Sequence, residues 1–66
     1  MFNRKRFNAA LAINGLTMKE LAEKMGIDPA TLYRKVTGKS DFNRKEINEI
    51  CQILSLESPV AIFFDK

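Results

Sequence analysis

Hydrophobic residues recur along the chain at spacings of three and four, the period of an amphipathic α-helix. The first stripe consists of Phe7, Ala10 and Leu11, and it ends near Asn14-Gly15. Asn-Gly pairs also occur in β-hairpins, but the flanking residues lack the alternation of strands. The pattern therefore predicts a first helix that the glycine terminates.

Capping signals predict where the second helix begins. Thr17 is a good N-cap, and Glu20 stands three residues later, which is the spacing of a capping box. The hydrophobic stripe of this helix has four members: Met18, Leu21, Ala22 and Met25. Gly26 then supplies the left-handed conformation that helix C-termini favour.

A third helix is predicted almost immediately afterwards. Asp28 can cap it, and Pro29 suits its first position, where no amide is needed. Leu32 and Val36 are expected to point inward, and Gly38 to end the helix. Two helices joined by about four residues around a glycine usually cross steeply. The third helix is therefore expected to project from the bundle.

Two further helices complete the pattern. Phe42 is expected to plug the connection after the third helix, and Asn43 with Glu46 repeats the capping box. The next hydrophobic stripe is Ile47, Ile50, Cys51 and Leu54. Ser58-Pro59 predicts a cap-plus-proline start for a last helical turn, "VAIFF", ending at Asp65-Lys66.

No segment alternates with period two, so no strand is expected. The prediction is an all-α protein, a compact bundle of four to five short helices forming one domain over residues 1–66. Its expected core has eight principal members: Phe7, Leu11, Leu21, Ile27, Leu32, Ile47, Ile50 and Leu54.

Composition restricts the class of protein. Cys51 is the only cysteine and there is no histidine, which argues against a disulfide framework, the usual zinc sites and a histidine base. Without a convergent carboxylate pair in view, we expect neither an enzyme nor a bound metal or cofactor, and Cys51 is expected to be buried and inert.

No apolar run reaches the roughly 18 residues that cross a bilayer, and the asparagine-containing start does not fit a signal peptide. A soluble cytoplasmic protein is expected.

The positive charge is concentrated in the middle of the chain. Residues 29–45 contain five basic residues and a single acidic one, whereas residues 46–66 contain four acidic residues and one lysine. Such a distribution suits a surface that faces phosphate groups, although a solvated face would have the same composition.

The stretch "LAEKMGIDPATLYRKVTGKSDFNRKEI" resembles the XRE/Cro-type helix-turn-helix proteins, the lambda-repressor-like family of phage and bacterial transcription regulators. The resemblance covers most of the chain, from Leu21-Ala22 through Gly26-Ile27, Leu32 and Gly38 to "FNRKEINEICQIL" and "IFF". It implies a helix-turn-helix made of helices 2 and 3, with the third helix, about residues 28–37, in the DNA major groove. It also implies a palindromic operator bound by dimers, in the cytoplasm of a bacterial host and associated with its nucleoid. The resemblance fits two kinds of protein equally: a stand-alone regulator of the Cro kind, and the DNA-binding segment of a longer repressor.

One departure from the family concerns base recognition. Pro29 and Ala30 occupy positions where many members place glutamine or serine, so base contacts are expected at Ala30, Thr31, Tyr33 and Arg34. Ala30 would pack on a thymine methyl, and Arg34 would hold guanine O6 and N7 with its guanidinium fork. The alternatives are a phosphate-bound or solvated Arg34, a half-buried core Tyr33 and a plain surface Thr31.

With the resemblance as a guide, phosphate contacts are expected from seven residues: Thr17, Lys35, Lys39, Ser40, Asn43, Arg44 and Lys45. The stem of Lys35 would lie along the core edge with its ammonium near a phosphate. The Arg4-Lys5-Arg6 run is either a DNA-contacting arm or a solvated helix face.

The role of the C-terminal hydrophobic segment is open between core packing and binding to a partner. Phe63 and Phe64 either close the core or take part in a homodimer contact through Val60–Phe64. A second class of function uses the same segment: a protein-binding module, antitoxin-like or an anti-repressor partner, that keeps the fold but recognises another protein.

Overall fold

Five helices make up the part of the chain that the structure describes. The computed structural model describes residues 2–64, with helices α1 (Arg4–Ile13), α2 (Met18–Met25), α3 (Pro29–Val36), α4 (Arg44–Ile53) and α5 (Val60–Phe63). This part of the chain contains no strand, which confirms the all-α prediction. None of these helices is long and apolar enough to span a membrane. The predicted helix end at Asp65-Lys66 lies outside the described residues.

Both predicted capping boxes are formed. At the start of α2, the Thr17 hydroxyl accepts from the Glu20 amide at 3.1 Å, and the Glu20 carboxylate accepts from the Thr17 amide at 3.0 Å. At the start of α4, Asn43 and Glu46 make the same reciprocal pair at 2.8 and 2.9 Å. These bonds satisfy amides that have no acceptor within the helix, which is why the two helices begin where the sequence indicates.

The predicted turn between α2 and α3 is also present. Gly26 ends α2 in the left-handed region at φ 73°, a conformation that costs glycine little. Asp28 caps α3 through a 2.8 Å bond from the Ala30 amide to its carboxylate, and Pro29 is the first helical residue. Since only residues 26–28 separate the helices, α3 packs directly against α2.

The boundaries of α5 and the cap of α1 differ from the sequence prediction. Pro59 takes the N-cap position of α5 rather than its first helical position, and the Ser58 hydroxyl accepts from the Val60 amide at 3.2 Å. Phe64 follows the helix instead of belonging to it. At the other end, Asn3 caps α1 by accepting from the Arg6 amide at 3.0 Å, a start signal that the sequence analysis missed.

The centre of the core takes one large side chain from each of the first four helices: Phe7, Leu21, Leu32 and Ile50, all fully buried. The surrounding buried residues are Ala10, Leu11, Ala22, Met25, Val36, Leu54, Ile62 and Phe63.

Three residues expected in the core are only partly buried. Ile27 lies in the turn between α2 and α3, and Ile47 lies in the first turn of α4 beside an open groove. Cys51 is half-buried. Ile27 and Ile47 pack against the outside of the core cluster instead of lying within it.

An aromatic cluster joins both ends of the chain to the connection after α3. The Phe2 ring lies 5.3 Å from Phe7, 5.3 Å from Phe42 and 5.5 Å from Phe63, and Phe42 meets Phe63 edge-on at 5.2 Å. Ring separations of this size are typical of favourable aromatic pairs. Phe42 therefore closes the connection as predicted, and the cluster fixes the start of α1 against α5.

Candidate nucleic-acid interface

Helix α3 has one buried side and one exposed side. Leu32 and Val36 anchor it in the core, whereas Ala30 and Arg34 are exposed and Tyr33 retains 53% of its accessible surface. Ala30 and Arg34 are four residues apart and so lie on the same face of the helix. Thr31 is half-buried at the margin. The side chains expected to read bases are thus reachable from solvent; the base contacts themselves stay a prediction.

The loop after α3 folds back onto the end of that helix. The amides of Lys39 and Ser40 donate to the Arg34 carbonyl at 2.9 and 3.3 Å, and the Gly38 amide donates to the Lys35 carbonyl at 3.3 Å. Gly38 makes this possible because it adopts φ 87°, which favours glycine. Lys39 and Ser40 are both exposed, so two expected phosphate contacts are held beside the end of α3.

The start of α4 continues this basic segment. Arg44 and Lys45 are exposed in its first turn, directly after the exposed Asn43 cap. The Asn43 side chain is occupied by the capping box. Thr17 is likewise exposed at the start of α2 with its hydroxyl accepting from Glu20. For both caps the structural role is present, and a phosphate contact stays a prediction.

Lys35 has partners within the protein. Its Nζ lies 3.1 Å from Glu46 Oε1 and donates to the Asp41 carbonyl at 3.1 Å, and its side chain is only 14% exposed. The stem does lie along the edge of the core, as expected. A phosphate at Lys35 would have to compete with the Glu46 carboxylate, which the sequence analysis did not foresee.

Arg4 lies over Tyr33. The guanidinium carbon is 5.8 Å from the centre of the Tyr33 ring, within the range of a cation–π contact. This brings the first residue of α1 to the flank of α3. No local pattern predicts a contact between residues so distant in sequence. Arg4 itself is exposed to solvent.

The chemistry available on this surface is that of a cationic binding face. Among residues 2–64, Lys35–Glu46 is the one ion pair, so Arg34, Lys39, Arg44 and Lys45 keep their charge unpaired. The same residues hold no group of three histidine, cysteine or acidic side chains arranged for a metal ion. Burial raises the pKa of the Cys51 thiol, which keeps it protonated and poorly nucleophilic at neutral pH.

Comparison with protein families finds a match between residues 6–58 and the Cro/C1-type HTH DNA-binding domain. No curated protein and no solved structure matches the chain. The matched residues include α2, the short turn, α3 with its exposed face, the basic loop and α4. The match covers well over half of the sequence and agrees with the all-helical fold. The chain therefore belongs to the Cro/C1-type helix-turn-helix family of DNA-binding regulators.

Proposed function

We propose that this protein is a sequence-specific transcription regulator, a phage or bacterial repressor or a Cro-like protein, whose α3 reads an operator in the major groove. The observation that carries the proposal is the two-sided α3: Leu32 and Val36 hold the helix in the core while Ala30 and Arg34 face solvent. The family is typically non-enzymatic, and we propose that binding is the whole of the activity, exerted in the host cytoplasm at the nucleoid.

The dimensions of α3 support insertion into the groove. An α-helix with its side chains is about 10–12 Å across, close to the roughly 12 Å width of the major groove of B-DNA. Arg34 lies in the second turn, where its fork would reach guanine O6 and N7. Ala30, one turn earlier on the same face, leaves space for a thymine methyl. Thr31 and Tyr33 flank these two positions.

Phosphates on either side of the groove would be held by the segment after α3. Lys39 and Ser40 lie beside the end of the helix, and Arg44 and Lys45 follow in α4. The capping box occupies the amides of Asn43 and Glu46, so the remaining amides of the first turn would add to a phosphate site at a helix N-terminus.

Arg34 and Lys39 are expected to affect DNA binding in different ways. Arg34→Ala should weaken binding to the operator by about 1–3 kcal/mol and relax selectivity at one base pair, because a base-specific fork is lost. Lys39→Ala should weaken binding to all sequences alike and lower the salt dependence, because a phosphate contact is lost. Fluorescence anisotropy on the operator, on its single-base variants and on an unrelated duplex would measure both effects.

Arg34→Lys is the matched control for this comparison. It keeps the positive charge but lacks the planar fork, so it should lose selectivity while keeping most of the salt dependence. If Arg34→Ala bound the operator and all of its variants as the parent does, Arg34 would have no part in base recognition.

We further propose that the protein binds a palindromic operator as a homodimer formed through Val60–Phe64. Val60 and Phe64 are 58% and 54% exposed, and the Phe64 amide donates to the Val60 carbonyl, so two exposed hydrophobic residues lie about one helical turn apart. Phe64→Ser is expected to weaken self-association and to remove cooperative binding to the two half-sites. Sedimentation velocity with and without DNA measures both quantities.

The control for the dimer prediction is Ile13→Ser. Ile13 is 85% exposed and lies outside the Val60–Phe64 segment, at the groove that α1 forms with Ala61. Its replacement removes a similar hydrophobic side chain and leaves Val60 and Phe64 in place. Equal effects of the two substitutions would contradict a dimer contact specific to α5.

The decisive experiment for the function as a whole is selection of bound duplexes from a random DNA pool by the purified protein. A palindromic consensus is expected. Weak, salt-sensitive binding without sequence preference would instead favour the protein-binding module, with the exposed Val60 and Phe64 as the surface for another protein.

A further inference from the structure

The contact between Arg4 and Tyr33 links two elements that are far apart in sequence. Arg4 begins α1, and Tyr33 lies on the exposed flank of α3, next to Arg34. With 5.8 Å between the guanidinium carbon and the ring centre, the charge lies over the ring and its N–H groups remain available at the edge of the guanidinium. An arginine above an aromatic face is attracted to the ring and can still donate hydrogen bonds from its edge.

Arg4 also borders the loop after α3. It lines a surface groove together with Thr37, Gly38 and Ser40. Ser40 is one of the residues expected to bind phosphate, and its amide is held against the end of α3. The contact with Tyr33 of α3 and the groove shared with this loop thus both place Arg4 at the border of the proposed DNA-binding surface.

The local structure gives Arg4 no other evident role. Among residues 2–64, Arg4 has no acidic partner. The first turn of α1 contains no acidic residue, and a positive charge at a helix N-terminus is disfavoured by the helix dipole. The backbone around it is nevertheless fixed, since Asn3 caps the helix and the Phe2 ring packs against Phe7. Arg4 is therefore an exposed, locally disfavoured positive charge on a segment whose backbone is held in place.

We propose that Arg4 binds a phosphate of the operator next to those held by the loop after α3, and that the Tyr33 ring positions its guanidinium for this contact. The inference rests on the proposed function and extends its DNA surface from the helix-turn-helix to the start of α1. Tyr33 then acts as a positioning residue as well as a candidate base contact.

The salt dependence of binding tests the phosphate contact. Loss of one phosphate contact lowers the slope of log K against log salt by about 0.9, so the affinity ratio of parent to Arg4→Ala should fall about 3.5-fold between 50 and 200 mM salt. Arg6→Ala is the matched control: Arg6 is in the same first turn and carries the same charge, but it lines the separate groove between α1 and α5 with Ile13 and Ala61. Arg6→Ala should leave the slope close to that of the parent.

A double-mutant cycle tests the positioning by Tyr33. In a Tyr33→Phe background the ring remains, and Arg4→Ala should lower affinity as much as it does in the parent. In a Tyr33→Leu background the ring is absent, and the effect of Arg4→Ala should be at least halved. Arg4→Lys should keep the salt slope but bind less tightly, because an ammonium neither stacks nor forks in the same way.

The outcomes separate this inference from the proposed function. If the parent binds a consensus and Arg34→Ala loses selectivity, but Arg4→Ala and Arg6→Ala have the same slope as the parent, the Arg4 contact alone is overturned. If the parent shows no sequence preference, both proposals fail. Circular dichroism melts verify that each variant folds, and Arg4→Gln replaces the alanine variant should that one unfold.

Discussion

Phe7→Ala is expected to unfold most of the protein at 25 °C. Phe7 is fully buried at the centre of the core and packs on the Phe2 ring, and replacement of such a residue by alanine costs about 3–5 kcal/mol. In a chain of this length a single hydrophobic core rarely supplies more than about 3–5 kcal/mol of net stability. The loss is therefore comparable to the whole stability. Urea denaturation followed by circular dichroism measures it.

Phe64→Ala is the matched control for this substitution. Phe64 is 54% exposed, and a surface substitution of this kind should change the free energy of unfolding by less than about 1 kcal/mol. The free energy of unfolding should be measured at low protein concentration, where self-association through Val60–Phe64 does not contribute to it. Similar losses for Phe7 and Phe64 would mean that the core is not centred on Phe7.

Glu46→Ala is expected to have the second largest effect, a destabilisation of about 2–4 kcal/mol. The Glu46 carboxylate accepts from the Asn43 amide at 2.9 Å and pairs with Lys35 Nζ at 3.1 Å, with both side chains less than 15% exposed. The substitution therefore leaves a helix amide without its acceptor and an ammonium unpaired in a mostly buried position. For a domain of this size, a loss of about 2 kcal/mol lowers Tm by about 8–16 °C.

Glu20→Ala separates the capping contribution from the ion pair. Glu20 holds the same position in the other capping box but is exposed and has no lysine partner, so its loss should be about 1 kcal/mol or less. Adding Lys35→Met to Glu46→Ala should recover part of the loss, because the unpaired ammonium is removed while the stem still packs. Equal melting temperatures for Glu46→Ala and Glu20→Ala would show that the pair with Lys35 contributes nothing.

The helix boundaries could be predicted because their signals are local. Thr17 with Glu20, Asn43 with Glu46, and Asp28 with Pro29 each satisfy amides only a few residues away, so the residues that form the cap adjoin one another in the sequence. Gly26 works in the same way, through its own φ angle. The last helix was less well defined because Pro59 suits both the N-cap and the position after it.

The interactions missed by the sequence analysis join residues that are distant in the chain. Phe2 reaches Phe42 and Phe63, Arg4 reaches Tyr33, and the Asn14 side-chain amide donates to the Leu54 carbonyl at 3.1 Å. None of these contacts follows from the period of a helix, because that period describes only which residues share a face. Ile47 shows the same limit: the spacing predicts which face of α4 it occupies, but the neighbouring residues determine how deeply it is buried.

For the candidate site, the exposed side of α3 could be predicted from the sequence, but the interaction partners of its charged side chains could not. Leu32 and Val36 share one side of α3 because they are four residues apart, and Ala30 and Arg34 share the other side for the same reason. The sequence therefore indicates which side of α3 faces outward, and the structure agrees. Lys35 illustrates this. Its position at the edge of the core follows from the sequence, but the carboxylate that pairs with its ammonium belongs to Glu46 of α4.

The two extremes of the described chain are neighbours in space, because the Asn3 amide donates to the Ile62 carbonyl and Phe2 packs on Phe63. The loop that this contact closes contains almost every residue of the domain. Closure entropy rises with the logarithm of loop length, so this pairing carries the largest closure cost in the fold. An engineered crosslink between these extremes would consequently restrict the unfolded chain more than a crosslink between residues nearer in sequence.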